Sequence, residues 1–532
     1  MIPSIPILTG TEARAWESKV LSGDTEREWA AMNHAGQGLG RAILQDFAEL
    51  QNSIETLHLL VLAGKGHNAG DAFIAAQAIH HIHPATRATV MLTTTVDSLK
   101  PLTQRALGGL KKSLKGQLNL AYLQPPESTS QPTVTTVQQQ LSELSGPQGF
   151  DISIDGLLGF SFQPPVREPM ATLLQAVNTF SAIRLRAAVD LPSGIGDRSD
   201  KEHCFHADFT YAAGIPKAPL FKASNIHAVG RIRYLDLGFF DNASPPQTDS
   251  VLLTSQVLDP LRSLRPSLSD KRTFGHLLII GGSRTMPGAL MMSVKAALRS
   301  GVGLVTALAP KAVAAAFAAA APEAMWIPWT ETAKGGLALK DKALLQPLLP
   351  KVSALLMGPG MGNEPETQQL MAEIVPETSL PLVLDADALQ PEILAARQLP
   401  SAGPLVLTPH HGEFCRIARC KANDVPSPAL REFCQSNDTI TVLKGPITRI
   451  GATGHPLFHS TFGGPVLARG GSGDLLSGLI AGQLAQSTHN PLEAVCRAVA
   501  WHGLAADILA RRRGTLAVTA TELLHYLPDA LH

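Results

Sequence analysis

The residues best placed to do chemistry lie late in the chain, where Ala468-Arg469-Gly470-Gly471-Ser472-Gly473-Asp474 leads into the helical pattern Leu475–Gln486. Glycines and a serine at the start of a helix can present several backbone N–H groups to a phosphoryl group. First-turn donors have no intrahelical acceptor, and the helix end adds partial positive charge. Asp474 then falls in the first turn beside that anion hole, within reach of the proton on an attacking hydroxyl. Its place at a helix N-terminus predicts a carboxyl held as the anion. A helix cap alone, worth about 1 kcal/mol, would not need three preceding glycines.

The first half carries three oxygen-bearing turns, each after an apolar run. Leu57–Leu62 runs into Ala63-Gly64-Lys65-Gly66-His67-Asn68-Ala69-Gly70-Asp71-Ala72, with a helix expected from about Phe73. Ile152–Ile154 ends in Asp155-Gly156-Leu157-Leu158-Gly159-Phe160-Ser161-Phe162, and Ala187–Val189 ends in Asp190-Leu191-Pro192-Ser193-Gly194. Glycines let a backbone approach a phosphate closely. Each Asp taken singly reads as well as a turn former or helix cap. Three such turns at the carboxyl ends of parallel strands would face one crevice.

Apolar runs alternating with helical patterns are the mark of βα units. Further strands are expected at Ala88–Leu92, Phe209–Ala212 and Ile232–Leu235, then at His276–Ile280, Leu304–Leu308, Ala354–Met357, Leu382–Leu384, Leu405–Leu407 and Ile440–Leu443. Helices are expected at Glu12–Leu50, Ala289–Arg299 and Leu475–Gln486, and Gln124–Thr136 reads as a surface loop. Turn formers in Phe239–Ser255 place a seam near residue 245, giving two α/β domains, 1–245 and 246–532.

The 532 residues are roughly three to four typical domains' worth of chain, enough for more than one core. With 45% hydrophobic and 17% charged residues the composition is globular, and Lys+Arg 44 balances Asp+Glu 44. No field of one sign draws in nucleic acid or an anionic membrane, so neither is an expected partner. The five cysteines include no C-x-x-C pair, which argues against a disulfide framework or zinc cluster and for reduced thiols. No signal-like N-terminus or membrane-length apolar stretch is present, so a cytoplasmic protein is expected.

The set AGKGHNAGD, DGLLGFSF and DLPSG resembles the epimerase domain of the bifunctional NAD(P)H-hydrate repair enzymes. That resemblance implies a Rossmann-like doubly wound sheet binding the hydrated dinucleotide through His67, Asn68, Ala69, Gly70 and Asp71. Gly159, Phe160, Ser161, Phe162, Gln163, Pro164 and Pro165 would cover the ligand. It implies K+ held by Asn68, Asp155 and Ser193, hard oxygen donors that suit such a cation. Asp190 would contact the hydrated ring and transfer the proton. The family usually reads N-N-G-G-D-G where this chain has His67-Asn68-Ala69-Gly70-Asp71-Ala72, and an alanine at 69 would restrict a positive φ.

G-x-G-D before a helix resembles the ribokinase-like superfamily. LIIGGS, PGA, GPGMG, LDADAL, TPHHGEF, LKGPIT and GGSGD, in that order, are similar to its NAD(P)H-hydrate dehydratase branch. This implies a ribokinase-like C-terminal domain in which Ala289, Gly360, His410 and Asp474 contact the hydrated dinucleotide. Lys444, Gly445, Pro446, Ile447, Thr448 and Gly473 would hold the adenine nucleotide. His411 stands where the family usually has Pro. Asp385 and Asp387 read as scaffold or water-mediated metal contacts, and Trp326, Trp329 and Trp501 as packing residues.

The implied reactions are interconversion of the R and S hydrates (NADHX, NADPHX) and dehydration of the S form with ADP and Mg2+, releasing AMP and phosphate. The resemblance also implies a homo-oligomer. The glycine-aspartate motif alone fits a ribokinase-like small-molecule kinase fused to a non-catalytic dinucleotide-binding module equally well. GPGMG together with TPHHGE favours the dehydratase.

Overall fold

A computed structural model describes residues 2–51, 55–124, 131–160, 162–241, 244–397, 403–420, 425–486 and 489–532. The chain divides into two compact units, Ile5–Thr248 and Asp249–His532, with Met1–Ser4 counted to the second.

The first unit is built on seven parallel strands. Their order across the sheet is Leu118–Tyr122, Arg87–Leu92, His58–Ala63, Phe150–Gly156, Ile183–Val189, Phe209–Ala213 and Arg231–Leu235. Chain order reverses between His58–Ala63 and Phe150–Gly156, which puts the topological switch point, and hence a crevice, at the carboxyl ends of those two strands. The period-2 alternation of a strand covers both faces. Leu59, Val61 and Ala63 join the core under the helices Thr25–Phe47 and His67–Ile82, while Leu60 and Leu62 join the opposite core. Gly64 is required at the switch point, because a Cβ there would lie 2.1 Å from the Leu157 carbonyl oxygen.

The sheet of the second unit runs in the order Ser250–Leu253, Leu457–Ser460, Thr448–Gly451, Thr439–Leu443, Leu405–Leu407, Leu382–Leu384, Ala354–Met357, His276–Ile280, Leu304–Pro310, Met325–Trp329. From Thr439–Leu443 to Met325–Trp329 the neighbours run parallel, and Thr448–Gly451 is antiparallel to the strands on both sides. Leu277 and Ile279 face the helices Pro287–Arg299 and Ser472–Gln486, and Leu278 and Ile280 face the other layer. Those two helices pack backbone to backbone. A Cβ on Gly478 would come within 2.2 Å of the Ser293 carbonyl oxygen.

Several elements differ from the sequence expectation. The expected helix Glu12–Leu50 is two helices, Gly10–Leu21 and Thr25–Phe47, separated where Ser22 and Gly23 take left-handed φ values of 56° and 65°. The helix after the first glycine loop begins at His67, not Phe73. The strand Ser250–Leu253 lies inside the expected seam. Gln124–Thr136 contains the N-terminus of the helix Val134–Ser145, and residues 125–130 lie outside the described residues. The strands Leu118–Tyr122, Met325–Trp329, Thr448–Gly451 and Leu457–Ser460 were not expected. Among the described residues no helix is long and apolar enough to cross a membrane.

Candidate active sites

In the first unit a cavity of about 580 Å³ opens at the switch point. Of the residues expected there, His67, Asn68, Asp71, Gly159, Phe160, Phe162 and Asp190 line it. Ala69 and Gly70 do not; they are buried beneath it, and a Cβ on Gly70 would press within 2.7 Å of Met32 Sδ. Gln163, Pro164 and Pro165 lie outside the lining, and Ser161 lies outside the described residues. Because the helix starts at His67, Ala69 sits in its first turn with ordinary helical backbone. The alanine costs nothing in φ, contrary to the expectation from the family pattern.

Asp155 and Ser193 pair behind the cavity, and Asn68, on its lining, is linked to them through Leu158. Asp155 accepts from the Ser193 N–H and Oγ, both at 2.7 Å, and from the Leu157 N–H at 3.2 Å. Ser193 Oγ accepts in turn from the Leu158 N–H at 2.9 Å. Asn68 Nδ2 donates to the carbonyls of Leu158 (2.8 Å) and Val189 (3.1 Å). Burial pushes the Asp155 carboxyl up to about 6, against those three donors.

Asp190 follows the strand Ile183–Val189 directly and takes a left-handed φ of 64°, a conformation Asp tolerates better than most residues. Its Oδ1 accepts from Lys217 Nζ at 2.6 Å, and Lys217 is only 1% exposed. Lys217 Nζ also donates to the Ile215 carbonyl at 3.1 Å and lies 4.0 Å from Glu17 Oε1 and 5.3 Å from the Phe160 ring centroid. Burial, opposed by Lys217 and assisted by Asp190, raises Glu17 to about 7. Burial and the charges of Asp190 and Glu17 raise Asp71 well above the usual carboxylate range. Lys217 and Glu17 were missed in the sequence. Lys217 lies in a turn after a later strand and Glu17 on the first helix, so no single motif contains them.

In the second unit the dispersed motifs converge. Gly360 takes φ +65°, and a Cβ on it would lie 2.9 Å from the Ala289 Cβ. Ser293, one turn on from Ala289, donates to the Ala289 carbonyl (3.2 Å) and the Asp474 carbonyl (3.0 Å), tying the two helices together at the site. Gly473 and Asp474 lie in the first turn of Ser472–Gln486. Lys444 Nζ would be 3.2 Å from a Cβ on Gly473, and it donates to Asp385 Oδ1 at 3.2 Å with Glu413 Oε2 at 4.0 Å. Lys444, Gly445, Pro446 and Ile447 form the turn between the antiparallel strands Thr439–Leu443 and Thr448–Gly451, and Thr448 opens the second of these.

His410 caps the helix His411–Ile417. Its Nδ1 accepts from the N–H groups of Gly412 (3.0 Å) and Glu413 (3.3 Å), so the ring proton resides on Nε2. His411 takes the first helical position, where proline is also favoured, and the turn keeps its capping box. Asp385 accepts from Thr408 Oγ1 at 2.7 Å and Asp387 Oδ2 from the Gly362 N–H at 2.8 Å. His502, unremarkable in the sequence, is buried behind the glycine loop, hydrogen-bonds the Ser472 backbone and is lowered to about 4 by burial. Trp329 is fully buried and donates to the Ala338 carbonyl at 2.7 Å.

The electrostatics of Asp474 differ from the expectation. Burial first, then the charges of Asp385, Asp387 and Glu413, raise its carboxyl to about 7 in spite of Lys444. The helix N-terminus does not hold it in the usual carboxylate range. A carboxyl poised near neutrality is well matched to general-base work.

A crevice at the switch point of a doubly wound sheet, and a glycine-aspartate helix start on a second parallel sheet, define a two-unit nucleotide-handling protein of the α/β class. Residues 29–218 match the family described as YjeF-related protein N-terminus, and residues 277–529 match NAD(P)H-hydrate dehydratase. The chain is 30% identical over 512 residues to the bifunctional NAD(P)H-hydrate repair enzyme of Moorella thermoacetica, covering 94% of this chain and 92% of that protein. It is 33% identical over 512 residues to the one from Gloeobacter violaceus, covering 93% and 92%. A solved ADP/ATP-dependent NAD(P)H-hydrate dehydratase from Bacillus subtilis, co-crystallised with ATP and Mg2+, is 30% identical. That match covers 52% of this chain and 96% of that one, with a TM-score of 0.44. The chain belongs to the family of bifunctional NAD(P)H-hydrate repair enzymes.

Proposed function

We propose that this chain repairs NADH and NADPH that have added water across the nicotinamide C5–C6 bond. The observation that carries the reading is the presence, on one chain matching these relatives along nearly its full length, of two separately assembled sites. One is a cavity with a buried lysine-carboxylate pair, and the other a first-turn carboxylate beside a helix N-terminus.

In the first unit the dinucleotide lies along His67–Asp71, where first-turn N–H groups favour its phosphates. Asp190 moves the proton at the hydrated ring, and Lys217 fixes its Oδ1. K+ fits the oxygens gathered at the cavity floor: the Asp155 carboxylate, the Ser193 hydroxyl and the Leu158 and Val189 carbonyls that converge on Asn68. Asn68 would present its side-chain oxygen to the ion after a half-turn of the amide. Bound there, the cation would offset the burial of Asp155 and brace the Ser193 turn that follows Asp190.

In the second unit Ala289, Gly360 and His410 contact the S hydrate, and Lys444–Thr448 with Gly473 hold ADP. Asp474 takes the proton from the C6 hydroxyl as its oxygen attacks the β-phosphorus, and AMP departs with the bridging oxygen. Phosphate then leaves C6, driven by the ring-nitrogen lone pair, and loss of the C5 proton restores the double bond. First-turn N–H groups and Lys444 stabilise the charge on the phosphoryl oxygens in transit. Mg2+, carried with the nucleotide and suited to the carboxylate oxygens of Asp385, Asp387 and Glu413, would supply further neutralisation of phosphate charge.

The test is product stoichiometry. With the S hydrate and ADP, the reading requires recovery of the reduced-nicotinamide absorbance with one AMP and one phosphate per molecule repaired. Accumulation of a stable phosphoester without that absorbance would overturn it in favour of a simple kinase.

A further inference from the structure

A second group of side chains able to hold a metal ion lies on the first unit, and none of its members lines the cavity. Cys204 is buried, His206 and His227 are exposed, and one ligand atom from each lies within 4.8 Å of the others. Cys204 and His206 are two residues apart on a segment just before the strand Phe209–Ala213, and His227 comes from the single helical turn Ile226–Val229.

The backbone that carries these residues is braced. Asn178 Oδ1 accepts from the His206 N–H at 2.9 Å, and its Nδ2 donates to the Cys204 carbonyl at 2.7 Å. The Ala207 N–H donates to the Ala228 carbonyl at 2.9 Å, which ties together the residues next to the two histidines. The imidazoles meet edge to face with ring centroids 5.6 Å apart.

We propose that Cys204, His206 and His227 bind a thiophilic transition-metal ion, best matched by Zn2+, with solvent in the fourth position. One thiolate and two imidazoles are the donor set that suits this ion. With metal–ligand bonds of about 2.0–2.3 Å, tetrahedral ligand atoms sit about 3.3–3.8 Å apart, so closing the group asks for a shift of about 1.5 Å at most, which falls to the two exposed imidazoles. Cys204 releases one proton to solvent as the metal–sulfur bond forms, and both imidazoles bind as the neutral ring.

The site has a structural consequence for the neighbouring turn. Gly194 takes φ +92°, and a Cβ on it would lie 2.8 Å from the Cys204 Cα. The Phe205 N–H donates to the Ser193 carbonyl at 2.8 Å. A metal on Cys204 therefore fastens the segment that backs the Ser193–Gly194 turn. The sequence hid the site, since its ligands form no C-x-x-C pair and His227 lies across an intervening strand.

The test uses the full chain after removal of metal by a chelator, titrated with Zn2+ against a chromophoric competitor and with Co2+ as a spectroscopic probe. The proposal requires one ion per chain, a near-ultraviolet thiolate-to-cobalt charge-transfer band, and visible bands of tetrahedral intensity. Cys204→Ser should abolish the charge-transfer band. His206→Ala and His227→Ala, both at exposed positions and so expected to fold, should each weaken Zn2+ binding at least ~10-fold. A thiolate band that survives Cys204→Ser, or Zn2+ affinity unchanged in the two histidine variants, would overturn it.

Discussion

Lys217 Nζ lies 2.6 Å from Asp190 Oδ1, and both groups are buried at the wall of the first cavity. A charge pair withdrawn from water is weak evidence of stability, because desolvation offsets most of the attraction. Its value here lies in geometry: Asp190 sits at φ 64° directly after a strand, and Lys217 fixes which carboxyl oxygen stays free for a ligand. Lys217→Met should lower epimerisation by about 10²-fold, the scale of a misplaced proton-transfer group. Exchange between the R and S hydrates followed by chromatography measures this, and dehydration of pure S hydrate should not change. Asp190→Asn keeps a residue that tolerates this backbone and should remove epimerisation without unfolding the unit.

For Asp474, Asp474→Asn should reduce dehydration by about 10²-fold or more while leaving epimerisation intact. In the unmodified chain kcat/KM for dehydration should fall on the acid side with a midpoint near 7, where the carboxyl titrates. The stability effect has a definite sign. The folded-state value lies above the ordinary 3.8, so the folded state binds more protons, and Asp474's contribution is lost as pH rises from about 4 to about 7. Asp474→Asn should therefore melt at a temperature equal to or above the parent at pH 8. A lower melting temperature with normal dehydration per folded molecule would reduce Asp474 to a helix cap.

The motifs that the fold gathers at the two candidate sites are legible in the sequence because strand-end turns are encoded locally: a glycine loop, an Asp after an apolar run, a Gly-Asp helix start. Contributions from elements distant in sequence were not. Lys217, Glu17, Ser293 and His502 reach their sites through tertiary packing, and each alone reads as an ordinary residue of its helix or turn. The missed strand Leu118–Tyr122 is half-buried at a sheet edge, so its apolar signal is diluted. The start of the His67–Ile82 helix was misplaced because glycine and asparagine in a first turn look like a continuing loop. Asp474's charge state depends on Asp385, Asp387 and Glu413, which only the folded chain brings near it.

The potassium assignment is tested at its ligands. Asp155→Ala and Asn68→Ala should each weaken dinucleotide binding to the first unit and remove any enhancement of that binding by K+ over Li+. Titration of the dinucleotide in the two salts measures both effects. Potassium dependence unchanged in both variants would leave the fold standing and refute the ion.

The helix contact at Gly478 should be intolerant of any side chain. Gly478→Ala places a methyl 2.2 Å from the Ser293 carbonyl oxygen and forces apart the two helices that carry Ala289 and Asp474. A loss of about 1–3 kcal/mol in denaturant unfolding of the second unit is expected, with a parallel fall in dehydration.

The central claim is that one chain carries both repair steps, and it is tested most directly by incubating the purified protein with an equilibrium mixture of R and S hydrates, with and without ADP. With ADP and excess enzyme, the reduced-nicotinamide absorbance should recover in full, because the R form is drawn through the first site into the second. Without ADP, the isomers should exchange and no absorbance should return. Recovery that halts once the S fraction is consumed, at a level fixed by the starting ratio, would contradict the claim for the first site. No recovery with ADP would contradict it for the second.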